Sequence, residues 1–501
     1  MLDEIIKNKL KEVSQLKSSF DISKIDISVP KKPFYETLLL RQSKKKNSII
    51  AEIKKRSPSK GILDSNLNVS EKALQYEAGG ASCLSVLTEK DYFHGSIDDL
   101  LIAKKSVNLP ILRKDFIIDP IQIKEALEKD TLNDWKDIEV NERAKILNLI
   151  ADDIENNPYE LIYFLINEEG KTIQNAIDEI REGIDFLRYY SSRSIELFNN
   201  TELNGPTGED NQMSFTPKGT FLCISPWNFP VAILIGQISA ALSCGNRVIV
   251  KPSEYSSILG YLVVKKFHDH GVPISALSLI LGDGLYGDFL TKISPLHGVA
   301  FTGSLPTAKK IQANIIDNQN QIIPLIAETG GINTMIVDSS ALLEQVTDDV
   351  VRSAFDSAGQ RCSALRVLCV QEEIYDDLKD MIIGNMQIQT VGDPNFFDTD
   401  IGPIINDKAY KKLTSYISLC SGKGYKIHQP NQKVSDMHIV PTLIEINSIS
   451  NITEEQFGPI LHILKYSSNE IDELINQINE SEYGLTTVSY THLTLPTKRI
   501  V

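Results

Sequence analysis

The chain has 501 residues, enough for several domains, and its 42 % apolar and 23 % charged content is ordinary for a globular protein. A formal net charge of −15 argues against general affinity for nucleic-acid phosphates and for anionic membrane surfaces. No apolar run is long enough to span a bilayer, and the cysteines at 83, 223, 244, 362, 369 and 420 form no CxxC pair, so reduced thiols in a cytoplasm are expected and no metal site.

The opening MLDEIIKNKLKEV has the spacing of an amphipathic helix, not of a signal peptide. Residues 48–54 (SIIAEIK) are an apolar run ending in charge, and SPSKG follows as a loop. A helix is expected over 70–78, a strand over 82–88, a helix over 96–106, a strand over 109–113 and a helix beginning at 119. Strand followed by helix, repeated, predicts parallel βα units, in which chemistry sits at strand C-termini. Glu52, Lys54 and Lys114 fall there, although charges also collect at such ends simply because they leave the core. The stretches IIAEIKKRSPSKG, SVLTEKDYFHGS and LPILRKDFIID, in that order, resemble indole-3-glycerol phosphate synthase, a (βα)8 barrel of tryptophan biosynthesis. The resemblance implies Lys114 as general acid in ring closure, with Lys54 and Glu52 beside the substrate. It covers residues 1–127 and about three of eight units, so a partial barrel without lyase activity is expected.

Near 127–134 (LEKDTLND) the pattern changes with no polar, flexible spacer, unlike most domain boundaries. A chimera of two gene fragments, or a misassembled reading frame, is the expectation.

Helical periodicity then dominates 138–200. From 219 short apolar runs alternate with helical stretches: 220–225, 247–251, 278–281, 298–302 and 324–328. This alternation predicts a doubly wound parallel sheet of the dinucleotide-binding kind. Gly282, Gly284 and Gly287 make a GxGxxG that can equally serve only its turn. A second set of runs, 333–337, 365–370, 438–444 and 460–466, predicts a separate catalytic domain. Glu328 ends the last run of the first set, just before two glycines, and Cys362 falls within the second set, between an arginine and small residues. Brought together, they are a thiol nucleophile and a base, able to acylate on a carbonyl and hydrolyse the product. Singly, each has a plainer account: a lone cysteine is usually a small buried hydrophobe, Trp227 and Phe229 are usually core, and Glu254 after a proline is often a helix-start carboxylate.

SPWNFP, VIVKPSE, FTGS, AETGG, AGQRCSA and EEQFGPI occur in order over 131–487 and resemble the aldehyde dehydrogenase superfamily. ETGGINTMIVDSSALLEQVTDDVVRSAFDSAGQRCSALRVL and DEIREGIDFLRYY are most similar to the L-glutamate gamma-semialdehyde dehydrogenase of bacterial bifunctional proline-utilisation proteins. The resemblance implies an NAD-binding domain over 131–328, helical lead-in included, and a catalytic domain over 329–487. It implies Cys362 as nucleophile, Asn228 as oxyanion donor and Glu328 as the base that activates water. It places NAD against Trp227, Lys251, Glu254, Gly303, Ser304, Glu455 and Phe457, with Glu254 favouring NAD over NADP. The implied function is oxidation of glutamate semialdehyde to glutamate in proline catabolism, by a homo-oligomer whose oligomerisation and substrate-anchoring segments are absent here. Residues 488–501 (VSYTHLTLPTKRIV) fit neither family and are expected to be non-native. The fold class is therefore α/β: a partial barrel followed by an aldehyde dehydrogenase fold, both truncated. An inactive fusion that at most binds NAD is the rival expectation.

Overall fold

The computed structural model describes residues 48–114 and 134–491, apart from 58–60, 65–66, 89–91, 200, 294 and 482. The helices expected at the N-terminus and from 119, and residues 492–501, lie outside the described residues. The chain divides into two compact units, 1–131 and 132–501.

In the first unit, β1 (Ile50–Ile53), β2 (Cys83–Leu87) and β3 (Ile111–Lys114) form a parallel sheet in that order. The helices α1 (Val69–Ala78) and α2 (Ile97–Ser106) follow β1 and β2. Asn68 and Ser96 cap them: their side-chain oxygens accept from Glu71 N–H and Asp99 N–H. All five residues of β2 are buried, which is why CLSVL reads as a continuous run and not an alternating one. Leu84 and Val86 pack with Ile53, Ala73 and Ala103.

The second unit opens with a short helix, Asp134–Asp137, followed by α3 (Val140–Asn156), α4 (Tyr159–Asn167) and α5 (Ile173–Phe198). A parallel five-stranded sheet follows, built from β4 (Thr220–Ile224), β5 (Arg247–Lys251), β6 (Leu277–Leu279), β7 (Gly298–Gly303) and β8 (Leu325–Thr329). Its spatial order is β6-β5-β4-β7-β8. The order reverses at β4, so a crevice opens outside the C-terminal ends of β4 and β7, where open α/β sheets hold ligands. The connecting helices are α6 (Ala232–Ser243), α7 (Ser257–Asp269), α8 (Gly284–Leu290) and α9 (Leu305–Asn318). Buried donors lock the lead-in helices to α6: Trp135 Nε1 donates to Leu242 O at 2.9 Å and Arg143 Nε to Ser243 O at 3.0 Å.

A six-stranded sheet completes the unit: β9 (Thr334–Val337), β10 (Val367–Gln371), β11 (Ile427–His428), β12 (Thr442–Glu445), β13 (Ile460–Tyr466) and β14 (Thr487–Tyr490). Its order is β11-β12-β13-β10-β9-β14, parallel except for the β11–β12 pair. The run expected as a strand from 438 pairs only from Thr442. Pro441 has no N–H for the ladder, Met437 takes a left-handed φ of 70°, and His438 Nε2 bonds instead to Gly392 O at 3.0 Å. The short strands β11 and β14 were not expected from the pattern. β14 spans the boundary placed after residue 487, and Tyr490 O accepts from Asp338 N–H at 2.9 Å.

Candidate active site

Three strand ends and two loops supply the site. The Trp227–Asn228–Phe229 turn follows β4 and leads into α6, whose first N–H groups lack helical acceptors. Glu179 of α5 satisfies two of them, its Oε1 accepting from Val231 N–H at 2.7 Å and Ala232 N–H at 3.3 Å. Its other oxygen lies 2.5 Å from Lys171 Nζ, and that ammonium sits 3.9 Å from the Phe229 ring centroid. A buried ion pair thus fixes the turn that carries Asn228.

On the neighbouring strands, Thr302 of β7 pairs in register with Glu328 of β8, so FTGS and AETGG emerge side by side. Ser304 caps α9 and Pro306 occupies its first turn. Gly330 leaves room for Glu455: a Cβ there would stand 1.8 Å from Glu455 Oε2 and would displace that carboxylate. The Cys362 loop is shaped by left-handed backbone at Ser357, Ala358 and Gly359, and a Cβ on Gly359 would collide with Gly458 O at 2.2 Å. Asn333 Nδ2 pins the same loop by donating to Cys362 O at 2.6 Å and Ala364 O at 2.9 Å.

These elements enclose one cleft of about 460 Å³, lined by Trp227, Asn228, Gly303, Ser304, Glu328, Cys362, Glu455 and Phe457 among others. The structure therefore brings together eight residues singled out by sequence. Cys362 is half-buried, and burial pushes its thiol above the ordinary value; Glu455 adds to the rise, while backbone N–H groups and Arg366 oppose it. Burial likewise raises the Glu455 carboxyl, against the opposing charge and hydrogen bond of Arg366. Trp227 and Phe457 meet edge to face, 5.6 Å between centroids. Glu328 is exposed at the cleft wall.

Lys251 ends β5 buried, its Nζ donating to Pro252 O at 3.1 Å, with burial lowering its pKa against Glu254 and Asp283. Glu254 is exposed one turn on. In GDGLYG, Asp283 caps α8 by accepting from Leu285 N–H at 2.9 Å. Glu52, Lys54 and Lys114 belong to the first unit. Lys54 Nζ bonds Glu52 Oε1 at 2.6 Å near the end of β1, and Lys114 ends β3, its side chain outside the described atoms.

Sequence reasoning missed Asn333, Arg366, Glu169 and the Lys171–Glu179 pair. Arg366 had one signal, a charge set inside the apolar run ALRVLCV. Glu169 is buried beside a second, roughly water-sized cavity of about 10 Å³ that also touches Thr172, Asn228 and Gln360. Neither of its carboxylate oxygens meets the geometry of a hydrogen bond. Desolvation pushes its pKa up to about 8, with Glu168 and Glu179 adding and Ser256 and Lys171 opposing. The folded state thus holds a proton that the unfolded chain has released. Stability from this group is full below about pH 4.5 and is lost at roughly 1.4 kcal/mol per unit as pH rises towards the folded-state value. Glu169→Gln is expected to flatten that slope in urea unfolding measured at several pH values; an unchanged slope would rule out Glu169 as its source.

An α/β chain whose switch-point crevice is lined by both a cysteine and a carboxylate has the fold of a dinucleotide-binding enzyme with a thiol in its cleft. Residues 120–495 match the model of the aldehyde dehydrogenase family, and the chain belongs to that family. Residues 2–131 match the model of indole-3-glycerol phosphate synthase. The bifunctional protein PutA of Escherichia coli (strain K12) is 42 % identical over 75 % of this chain, which spans only 28 % of that protein. The 1-pyrroline-5-carboxylate dehydrogenase 1 of Halalkalibacterium halodurans is 32 % identical over 70 % of this chain and 69 % of its own length. A crystal structure of betaine aldehyde dehydrogenase from Staphylococcus aureus in complex with NAD+ superposes with a TM-score of 0.68, at 25 % identity over 74 % of this chain and 77 % of that one.

Proposed function

We propose that the second unit oxidises an aldehyde to its acid with NAD as acceptor, and that the aldehyde is L-glutamate gamma-semialdehyde. The observation that carries the chemistry is the convergence of Cys362, Asn228 and Glu328 on one cleft. The choice of aldehyde leans on the dehydrogenase and PutA relatives.

The residues present fit a dinucleotide. The N-terminus of α9 opens into the cleft through Ser304, Leu305 and Pro306, a setting suited to a pyrophosphate. Lys251 and Glu254 would hold the adenosine ribose, and Glu455 and Phe457 the nicotinamide ribose and ring. The Glu254 carboxylate disfavours a 2′-phosphate, hence NAD over NADP. When bound, the nicotinamide supplies the hydride acceptor. Cys362 Sγ adds to the aldehyde carbon as thiolate. The Asn228 amide and the Cys362 backbone N–H donate to the oxygen that becomes negative, an arrangement worth about 2.7–4 kcal/mol. Glu328 takes a proton from water, the resulting hydroxide attacks the thioester carbon, and the C–S bond breaks to release the acid.

Glu328→Gln separates the two halves of this cycle. Expected is a burst of about one reduced nucleotide per chain, then steady turnover slowed by roughly 10²–10⁴-fold as the thioester accumulates. Stopped-flow absorbance checks this; unchanged steady turnover would remove Glu328 as the base. A cytoplasm is the setting proposed; among the described residues no helix is long and apolar enough to cross a membrane.

A second reading concerns the whole chain. The two family matches meet within residues 120–131, which supports a join between two gene fragments, the first from a carbon–carbon lyase. On that reading residues 1–127, 131–328 and 329–487 are a lyase fragment, a cofactor domain and a catalytic domain; the foreign tail proposed over 488–501 overlaps the aldehyde dehydrogenase match, which runs to 495. Sequencing the source DNA across the junction tests it, and one continuous native frame would count against it.

A further inference from the structure

Arg366 is the largest side chain that the second unit buries completely, at 1 % exposure, and it stands one residue before β10. A buried guanidinium is costly unless its donors are used. Here the bonds from Nη1 and Nη2 go to two loops at once, while Nε has no partner among the described residues. Towards the nucleophile loop, Nη1 donates to Gly359 O at 2.9 Å and Nη2 to Arg361 O at 2.8 Å. Towards the loop that follows Glu454, Nη1 also donates to Gly458 O at 3.1 Å and Nη2 to Glu455 Oε1 at 3.3 Å, while the guanidinium carbon lies 5.5 Å from the Phe457 ring centroid.

The arginine is itself held from behind. Its backbone oxygen accepts from His462 N–H and from His462 Nδ1, both at 2.9 Å. A carbonyl can only accept, so Nδ1 carries the proton and Nε2 accepts from the Tyr416 hydroxyl at 2.8 Å. Burial keeps this imidazole neutral at physiological pH, its pKa down to about 4. Asn333 closes the frame: its backbone oxygen accepts from Arg366 N–H at 2.9 Å and its side chain pins Cys362.

We propose that Arg366 is a positioning residue that clasps the Cys362 loop to the Glu455–Phe457 loop, and so sets where its own charge and the Glu455 carboxylate stand relative to the Cys362 sulfur. This rests on the reading of Cys362 as nucleophile and of Glu455 and Phe457 as the nicotinamide side of the cleft. The charged groups bearing on the sulfur are Glu455, which disfavours the thiolate, and Arg366, which favours it. Glu328, Lys412, Glu454 and Tyr483 also line the cleft. A lysine at 366 would keep a positive charge but not the planar fork that reaches both loops.

The test uses the full chain, iodoacetamide as thiol probe and NAD as ligand, with Cys362→Ala to establish which thiol reacts. Arg366→Met is expected to move the pH midpoint of alkylation up, and Glu455→Gln to move it down, each by about one pH unit. Arg366→Lys is expected to keep the midpoint near the parent's while NAD affinity falls about tenfold. If Arg366→Met does not fold, the opposite-signed Glu455→Gln shift and the Arg366→Lys split still decide the matter. Parental pH profiles in all folded variants, or full NAD affinity in Arg366→Lys, would overturn the proposal. Alkylation needs no aldehyde, so a wrong substrate would leave these readouts intact and show only in turnover.

Discussion

Cys362→Ala is expected to remove aldehyde-dependent NAD reduction, by about 10⁴–10⁶-fold, while leaving the fold and NAD binding in place. The magnitude follows from deleting the atom proposed to form the covalent bond. Donors that remain, such as the Asn228 amide, still stabilise an oxyanion but have no nucleophile to assist. No other thiol is placed to substitute. Cys83, Cys223, Cys369 and Cys420 are buried, and desolvation pushes the Cys223 thiol up to about 12 and that of Cys369 further still. Cys244 is partly exposed but follows α6 and does not line the cleft. Steady-state turnover of glutamate semialdehyde, with nucleotide titration as the control for folding, checks the prediction. Activity within about tenfold of the parent would remove the thiol from the mechanism.

Lys171→Met is expected to destabilise the second unit by about 3–5 kcal/mol, the usual result of deleting one partner of a buried ion pair. The Glu179 side chain has no exposure, and its remaining bonds are the two N–H groups at the start of α6. Lys171 also covers the Phe229 ring, so the change removes a cation from an aromatic face as well. The double change Lys171→Met with Glu179→Leu should recover only part of the loss, because it orphans the Val231 and Ala232 donors. Urea unfolding of the single and double variants measures both terms. A loss below about 1 kcal/mol in Lys171→Met would show that water reaches and solvates the carboxylate.

The fold was legible where periodicity was strong. The runs at 247–251, 298–302 and 460–466 became strands within a residue of their expected bounds, because short apolar runs between helical stretches have few other uses. The strand expected from 438 begins only at Thr442, after Pro441, and β11 and β14 escaped notice because two or four residues carry too little pattern. At the site, residues with exposed work to do sat in recognisable words such as AGQRCSA and AETGG. Those that hold them did not: Asn333, Arg366, Lys171 and Glu179 act through contacts 5 to 96 positions away, and chain order does not announce such partners.

By itself, the sequence determined the class of chemistry: a carboxylate ending an apolar run, a carboxamide between two prolines and a thiol between an arginine and small residues, with two family patterns meeting near residue 127. Tertiary structure alone decided that the three share one crevice, because that depends on β4 lying between β5 and β7 and on β8 pairing beside β7. It also decided how the sulfur is poised. Ionisation there reflects burial and the opposed charges of Glu455 and Arg366, and both are properties of distance and dielectric that exist only once the loops are packed.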